Sequence, residues 1–118
     1  MNYQDIITRI KQDREQRPAL LEKMKDRQKK GLEIAQKSAN ILKEKFGVKR
    51  VVLFGSLLNP ETMSPHSDID LAVWGLPEAS IFRAGAMIEK GHRFTIDLVE
   101  AEKAKPHILK AIEQGIEL

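Results

Sequence analysis

Ser67-Asp68-Ile69-Asp70-Leu71-Ala72-Val73-Trp74, with Gly55-Ser56 upstream and eleven residues between Ser56 and Asp68, is the stretch on which the reading of this chain turns. Within it, Ile69 to Trp74 is apolar apart from Asp70 and reads as a strand. Side chains alternate across a strand, so Asp68 and Asp70 point the same way and Ile69 points into the opposite layer. Two carboxylates that close repel each other unless a positive charge sits between them. A divalent cation is the simplest remedy. With oxygen as the only ligand type and no cysteine in the chain, the ion to expect is hard, Mg²⁺ or Mn²⁺.

Upstream of this strand, Val51-Val52-Leu53-Phe54 is a continuous apolar run that reads as a buried strand ended by Gly55-Ser56. A glycine there lets backbone approach a phosphate closely, and a serine caps a following helix and offers a hydrogen bond. Leu57 to Ser67, with its two prolines, is a short helix or turn followed by a loop. Downstream, Gly75 and Pro77 stop the Asp68–Asp70 strand, and Glu78 to Lys90 has a helical pattern through Ile81, Phe82, Ala86 and Ile88. Phe94-Thr95-Ile96-Asp97-Leu98-Val99 is a third strand. Asp97 is flanked there by Ile96 and Leu98, as Asp70 is by Ile69 and Leu71. An acid within an apolar strand needs a partner, an exposed edge or a metal. If the two acidic strands are neighbours, Asp68, Asp70 and Asp97 meet at one sheet edge, a set able to hold two metal ions. Pro106 to Gln114 reads as a last helix with Ile108, Leu109 and Ile112 inward and Gly115 at its end.

The first half is helical. Ile6, Ile7 and Ile10 mark one helix from Asn2 to about Gln16, and Pro18 suits the first turn of a second. Along the second, Leu21, Met24, Leu32, Ala35, Ala39, Leu42 and Phe46 form a core-facing stripe with a polar gap at Gln28. Gly31 is a weak point where a local break is expected, and Gly47 suits the helix C-cap. The element order is α-α-β-(α)-β-α-β-α, a small sheet covered by helices. Two parts follow: a helical extension over 1–46 and a domain over 47–118.

The 118 residues suit one small domain, with 42% hydrophobic and 31% charged residues. The net charge of +3 is uneven: residues 1–50 hold fourteen Lys or Arg against seven Asp or Glu, and residues 51–118 hold six against ten. A basic first half fits a solvated helix face, nucleic acid or an acidic partner. Aromatic residues are only 5%, too few for an evident base-stacking platform. No run is apolar enough to span a bilayer, and the start lacks the pattern of a secretion signal, so a cytoplasmic protein with no membrane association is expected. His66, His92 and His107 lack metal-motif spacing and read as surface or capping residues, with His66 the nearest in sequence to Asp68. Phe54 and Trp74 read as core, and Arg83, Lys90 and Arg93 as ordinary exposed cations.

On these residues the sequence resembles the minimal nucleotidyltransferases of the DNA polymerase β-like superfamily. Val52-Leu53-Phe54-Gly55-Ser56 is similar to that family's strand and Gly-Ser signature. Ser67 to Val73 is similar to its paired-aspartate strand, and Ile96-Asp97-Leu98-Val99 to its third-aspartate strand. The likeness covers about Val48 to Leu118. It implies an α/β (α+β) fold with a small mixed sheet flanked by helices, Asp68, Asp70 and Asp97 as catalytic metal ligands, Gly55 and Ser56 as the triphosphate grip, two Mg²⁺ ions and ATP as donor. Many such proteins are similar to antitoxins paired with HEPN-type toxins, which implies transfer of AMP to a tyrosine of the partner. Two other readings stand beside it: neutralisation of the partner by binding alone, and nucleotide addition to RNA ends, for which no recognisable RNA-binding module is present. A long amphipathic helix also fits pairing with its twin in a homo-oligomer or with a partner's helix.

Overall fold

The computed structural model describes residues 2–118, with the side chains of 13–16 left aside. Its first element is one helix, α1, from Tyr3 to Phe46. Asn2 caps it: the Asn2 side chain accepts from the Asp5 N–H at 2.9 Å, and the Asp5 carboxylate accepts from the Asn2 N–H in return. This reciprocal pair satisfies two of the free donors that every helix start leaves.

The two helices expected from the sequence are therefore continuous, and Pro18 lies inside α1 instead of opening a second helix. The reason is visible around it. Glu15-Gln16-Arg17 offers none of the short polar side chains that cap a helix, and no glycine ends the first segment. Without a stop signal the helix runs on, at the cost of the hydrogen bond that proline lacks. Gly31 is not a break either. It is buried, and a Cβ there would stand 2.8 Å from Leu57 Cδ1. The missing side chain is what lets Leu57, itself fully buried, press against the helix. The core stripe accordingly runs through Met24, Gly31, Ala35, Ala39, Leu42 and Phe46, while Leu32 turns outward.

After Gly47 the chain enters a four-stranded mixed sheet in the order β3-β2-β1-β4. Strand β1 (Arg50–Phe54) runs antiparallel to β2 (Ile69–Trp74) and to β4 (Ile116–Glu117). Strand β3 (Ile96–Glu100) lies parallel to β2. A parallel neighbour needs a crossover, which helix α2 (Ile81–Ile88) supplies. Helix α3 (Pro106–Glu113) precedes β4, with proline in its first turn as expected. The sequence did not announce β4: two residues beyond Gly115 are too few to carry an alternation.

The two faces of the sheet differ. On one, Val51, Leu53, Ile69, Leu71, Val73 and Ile96 pack with the C-terminal half of α1 and with α2 to form the larger core. On the other, Val52, Phe54 and Ala72 form a smaller cluster with Ala101 and Ile112, closed by Trp74, Val99 and Ile108. Phe54 is thus core, as read from the sequence, and Trp74 is half-buried beneath the Arg50 guanidinium at 4.3 Å. Leu109, expected inward, is exposed, and of the apolar positions in the 78–90 pattern Phe82 (89%) and Ala86 are exposed as well. Helix α2 is short, and Ala84 and Ile88 supply its inward face. Among the described residues no helix is long and apolar enough to cross a membrane.

Candidate active site

The parallel pairing of β2 and β3 places Asp70 level with Asp97, and Ile69 level with Ile96. Level residues of parallel strands share a face, so Asp70 and Asp97 lie together on the α3 side; Asp68 stands just ahead of β2, near enough for its charge to act on Asp70. Ile69 and Ile96, between them in sequence, are buried in the opposite layer. The second and third strands are thus neighbours, as the sequence pattern requires, with Asp70 and Asp97 side by side on them.

Asp70 also faces β1, where its register partner is Phe54, the residue before Gly55. Gly55 takes φ of +86°, a conformation that L side chains rarely adopt. A Cβ at that position would lie 3.1 Å from Asp70 Cγ and closer still to Oδ2. The glycine therefore makes room for the Asp70 carboxylate. From the sequence, that room was expected for an approaching phosphate; in the structure its nearest occupant is an acid of the same site. Ser56 opens a 3-10 turn, Ser56–Leu58, whose N-cap is Gly55, and no side chain caps it. The expected capping role of the Ser56 hydroxyl is not seen: the turn is too short to need one, and Gly55 already occupies the cap. Leu57 and its carbonyl, which accepts from Gln28 Nε2 at 2.9 Å, anchor this turn beneath α1.

The electrostatics single out Asp70. Its pKa is raised from 3.8 to about 6, chiefly by burial, then by the negative charge of Asp97 and of Asp68. Burial and two neighbouring negative charges thus act in one direction on Asp70, each disfavouring its charged form. Asp68 and Asp97 are exposed to solvent. Among the described residues no three His, Asp or Glu side chains are gathered tightly enough to hold one ion jointly. The two observations are compatible, because charge repulsion acts over several ångströms and a Mg–O bond spans about 2.1 Å. In kind, carboxylates with no softer ligand beside them would suit a hard divalent ion. The grooves of about 380 and 320 Å³ lie elsewhere, one beside α1 and one beside α3, and neither is lined by an aspartate.

One residue that the sequence reading passed over organises this end of the sheet. Arg27 of α1 donates through Nη2 to the Ser67 carbonyl at 2.9 Å, and its guanidinium lies 4.2 Å from the centre of the Phe94 ring. It thereby ties α1 to the residue before Asp68 and to the segment that leads into β3. Its Nε is buried without a hydrogen-bond partner. The Ser67 hydroxyl in turn accepts from the Ser64 N–H at 2.8 Å, which closes the loop ahead of Asp68. In sequence, Arg27 sits in a lysine-rich run and only its place beside the Met24–Gly31 stripe sets it apart. Of the histidines, His66 and His107 are exposed. His92 accepts from the Phe94 N–H through Nδ1 at 3.1 Å and contacts the Ile88 carbonyl through Nε2 at 2.7 Å. Nε2 therefore carries the proton, and the ring caps α2, as expected of a capping histidine.

A strand–Gly-Ser turn, a following strand with paired acids, and a parallel strand with a third define a nucleotidyl-transfer scaffold. Residues 36–118 match the family described as Polymerase beta, Nucleotidyltransferase. The chain belongs to that family, and a transferase activity of the nucleotidyltransferase type follows from it in general terms. The matched region begins within α1, at the half of the helix that packs in the core. No match was found among curated proteins.

Proposed function

We propose that this protein transfers AMP from ATP to a hydroxyl of a partner protein, a tyrosine of a HEPN-type toxin, and so acts as its antitoxin. The observation that carries the catalytic part is the level pairing of Asp70 and Asp97 beside Gly55. Asp68, Asp70 and Asp97 are the residues that would hold Mg²⁺ or Mn²⁺, which when bound supplies charge neutralisation at the phosphates. The Gly55-Ser56 turn presents backbone N–H groups for the triphosphate. The acceptor oxygen attacks the α-phosphorus, the bond to the β-phosphate bridging oxygen breaks, and pyrophosphate leaves. Asp97, exposed on the outermost strand, takes the hydroxyl proton. The support for a protein acceptor is the resemblance of Val52–Ser56, Ser67–Val73 and Ile96–Val99 to the minimal nucleotidyltransferases, many of which are similar to antitoxins of HEPN-type pairs.

A second reading, neutralisation by binding without chemistry, is favoured by one specific observation: the acids are not drawn together into a shared ligand set. One experiment separates the two. The purified protein is incubated with α-labelled ATP, Mg²⁺ and the product of the neighbouring reading frame, beside an Asp70→Asn variant. Label on the partner with the unaltered protein alone supports transfer. A stable complex that never takes up label supports binding alone, and label on added RNA supports the RNA-end reading.

A further inference from the structure

Among the described residues, the N-terminal part of α1 is a helix whose apolar side chains its own domain leaves largely exposed. The first α1 residue in the core is Met24, and Tyr3, Ile6, Ile10 and Leu20 are 74%, 45%, 47% and 48% exposed. The molecule is 59 Å long and 22 Å thin because this arm extends from the body. Yet the arm starts with a complete capping box at Asn2 and Asp5, so the sequence specifies helix to its tip. Isolated helical segments of this length are marginal in water and draw their stability from burying an apolar face.

The spacing of that face identifies its cover. Apolar positions Tyr3, Ile6 and Ile7 reflect onto Met24, Leu21 and Leu20 about a point midway between positions 13 and 14, and Ile10 reflects onto Arg17. A stripe whose outer apolar positions mirror one another is what a two-fold antiparallel pair requires, since residue i of one copy must meet residue j of the other and the reverse. We infer that two copies of this chain pair through antiparallel α1 arms, with Tyr3, Ile6 and Ile7 of each seated beside Leu20, Leu21 and Met24 of the other. A seat exists. A groove of about 380 Å³ opens where α1 meets the Pro60–Met63 loop, and Leu20, Leu21 and Met24 line it together with Pro60 and Met63. The lengths also agree, because the reflection sets the cap residue Asn2 level with Lys25, where the partner's body begins. Charge favours a second copy over an acidic partner. Residues 2–24 hold five basic and four acidic side chains, whereas the basic excess of the first half lies in residues 25–50. The pairing is independent of the catalytic reading.

Sedimentation of the full chain tests the association. The expected mass is about 27 kDa, twice 13.4 kDa, and Ile6→Glu with Ile10→Glu returns the monomer with an unchanged thermal midpoint of the body. The register is tested by disulfide formation, since the chain has no cysteine of its own. Ile7→Cys and Leu20→Cys variants are expected to cross-link when mixed and not when oxidised separately. A monomer at all concentrations overturns the inference, whether or not another protein binds the arm. Cross-linking of the Ile7→Cys variant with itself overturns the antiparallel register.

Discussion

The two faces of the sheet use the same strands for opposite ends. Toward α1 and α2, every second residue of β2 is apolar and fully buried: Ile69, Leu71 and Val73. Toward α3, the same strand carries Asp70, Ala72 and Trp74, of which only Ala72 is fully buried. One face concentrates the apolar contacts that stabilise the fold. The other places a half-buried carboxylate beside two more, an arrangement that costs stability. A one-residue slip of β2 would exchange the two sets, so the deep packing of Leu71 also fixes where Asp70 points.

If this division is right, substitutions on the two faces have effects of opposite kind. The largest expected effect is on the acidic face: Asp70→Asn lowers transfer to the partner by about 1000-fold or more, as loss of a charge that would organise phosphates and metal implies. The labelled-ATP assay measures it, and activity within tenfold of the unaltered protein would remove Asp70 from the chemistry. On the packed face, Leu71→Ala should cost about 3 kcal/mol in denaturant unfolding, from lost burial and the cavity left behind. The fraction that stays folded should keep its activity. Between the faces, Arg27→Ala should cost about 2 kcal/mol, because it strips the Ser67 carbonyl of its charged donor and uncovers Phe94. It should also slow transfer by loosening the residue before Asp68. Arg27→Lys, which keeps the charge but not the planar fork, should restore stability only in part.

The smallest effect sharpens the contrast most. In the folded protein Asp70 holds its proton up to about pH 6, whereas in the unfolded chain it releases it near 3.8. Between those values the native state binds more protons than the unfolded state, so stability falls as pH rises from about 4 to 6 and then levels. With solvent reaching this half-buried carboxylate, the loss attributable to it is about 1 kcal/mol. Measured in chelator, Asp70→Asn should abolish that part of the slope and be the more stable protein above pH 6. A substitution that stabilises the fold while stopping the reaction is what the division of faces demands.

The placement of Asp70 and Asp97 side by side was legible because its signals are local. Alternation within β2 and β3 is a property of neighbouring residues, and an acid between two branched apolar residues marks itself in each strand. The partnership of the strands required the crossover through α2, whose bounding glycines and prolines were also readable. What escaped was decided across long separations. That Gly55 serves the Asp70 carboxylate depends on antiparallel pairing, and that Gly31 admits Leu57 depends on how α1 lies over the 3-10 turn. Arg27 contacts Ser67 forty residues away, and β4 exists only because β1 offers an edge to pair with. The reading of Pro18 failed for a different reason. A proline marks a helix start only where a stop signal precedes it, and here none does.

That proline has a consequence for how the long helix opens. Position 18 contributes no amide hydrogen, so the ladder of α1 lacks one rung there. Helix unwinding spreads from turn to turn, and fraying that begins at Asn2 meets this gap before it reaches the residues packed on the sheet. Amide exchange should therefore divide the helix. Protons beyond about position 24 should exchange only with opening of the whole domain, and those before 18 on the arm's own faster clock. Dilution should speed the second group and leave the first unmoved if a twin chain is what covers the arm.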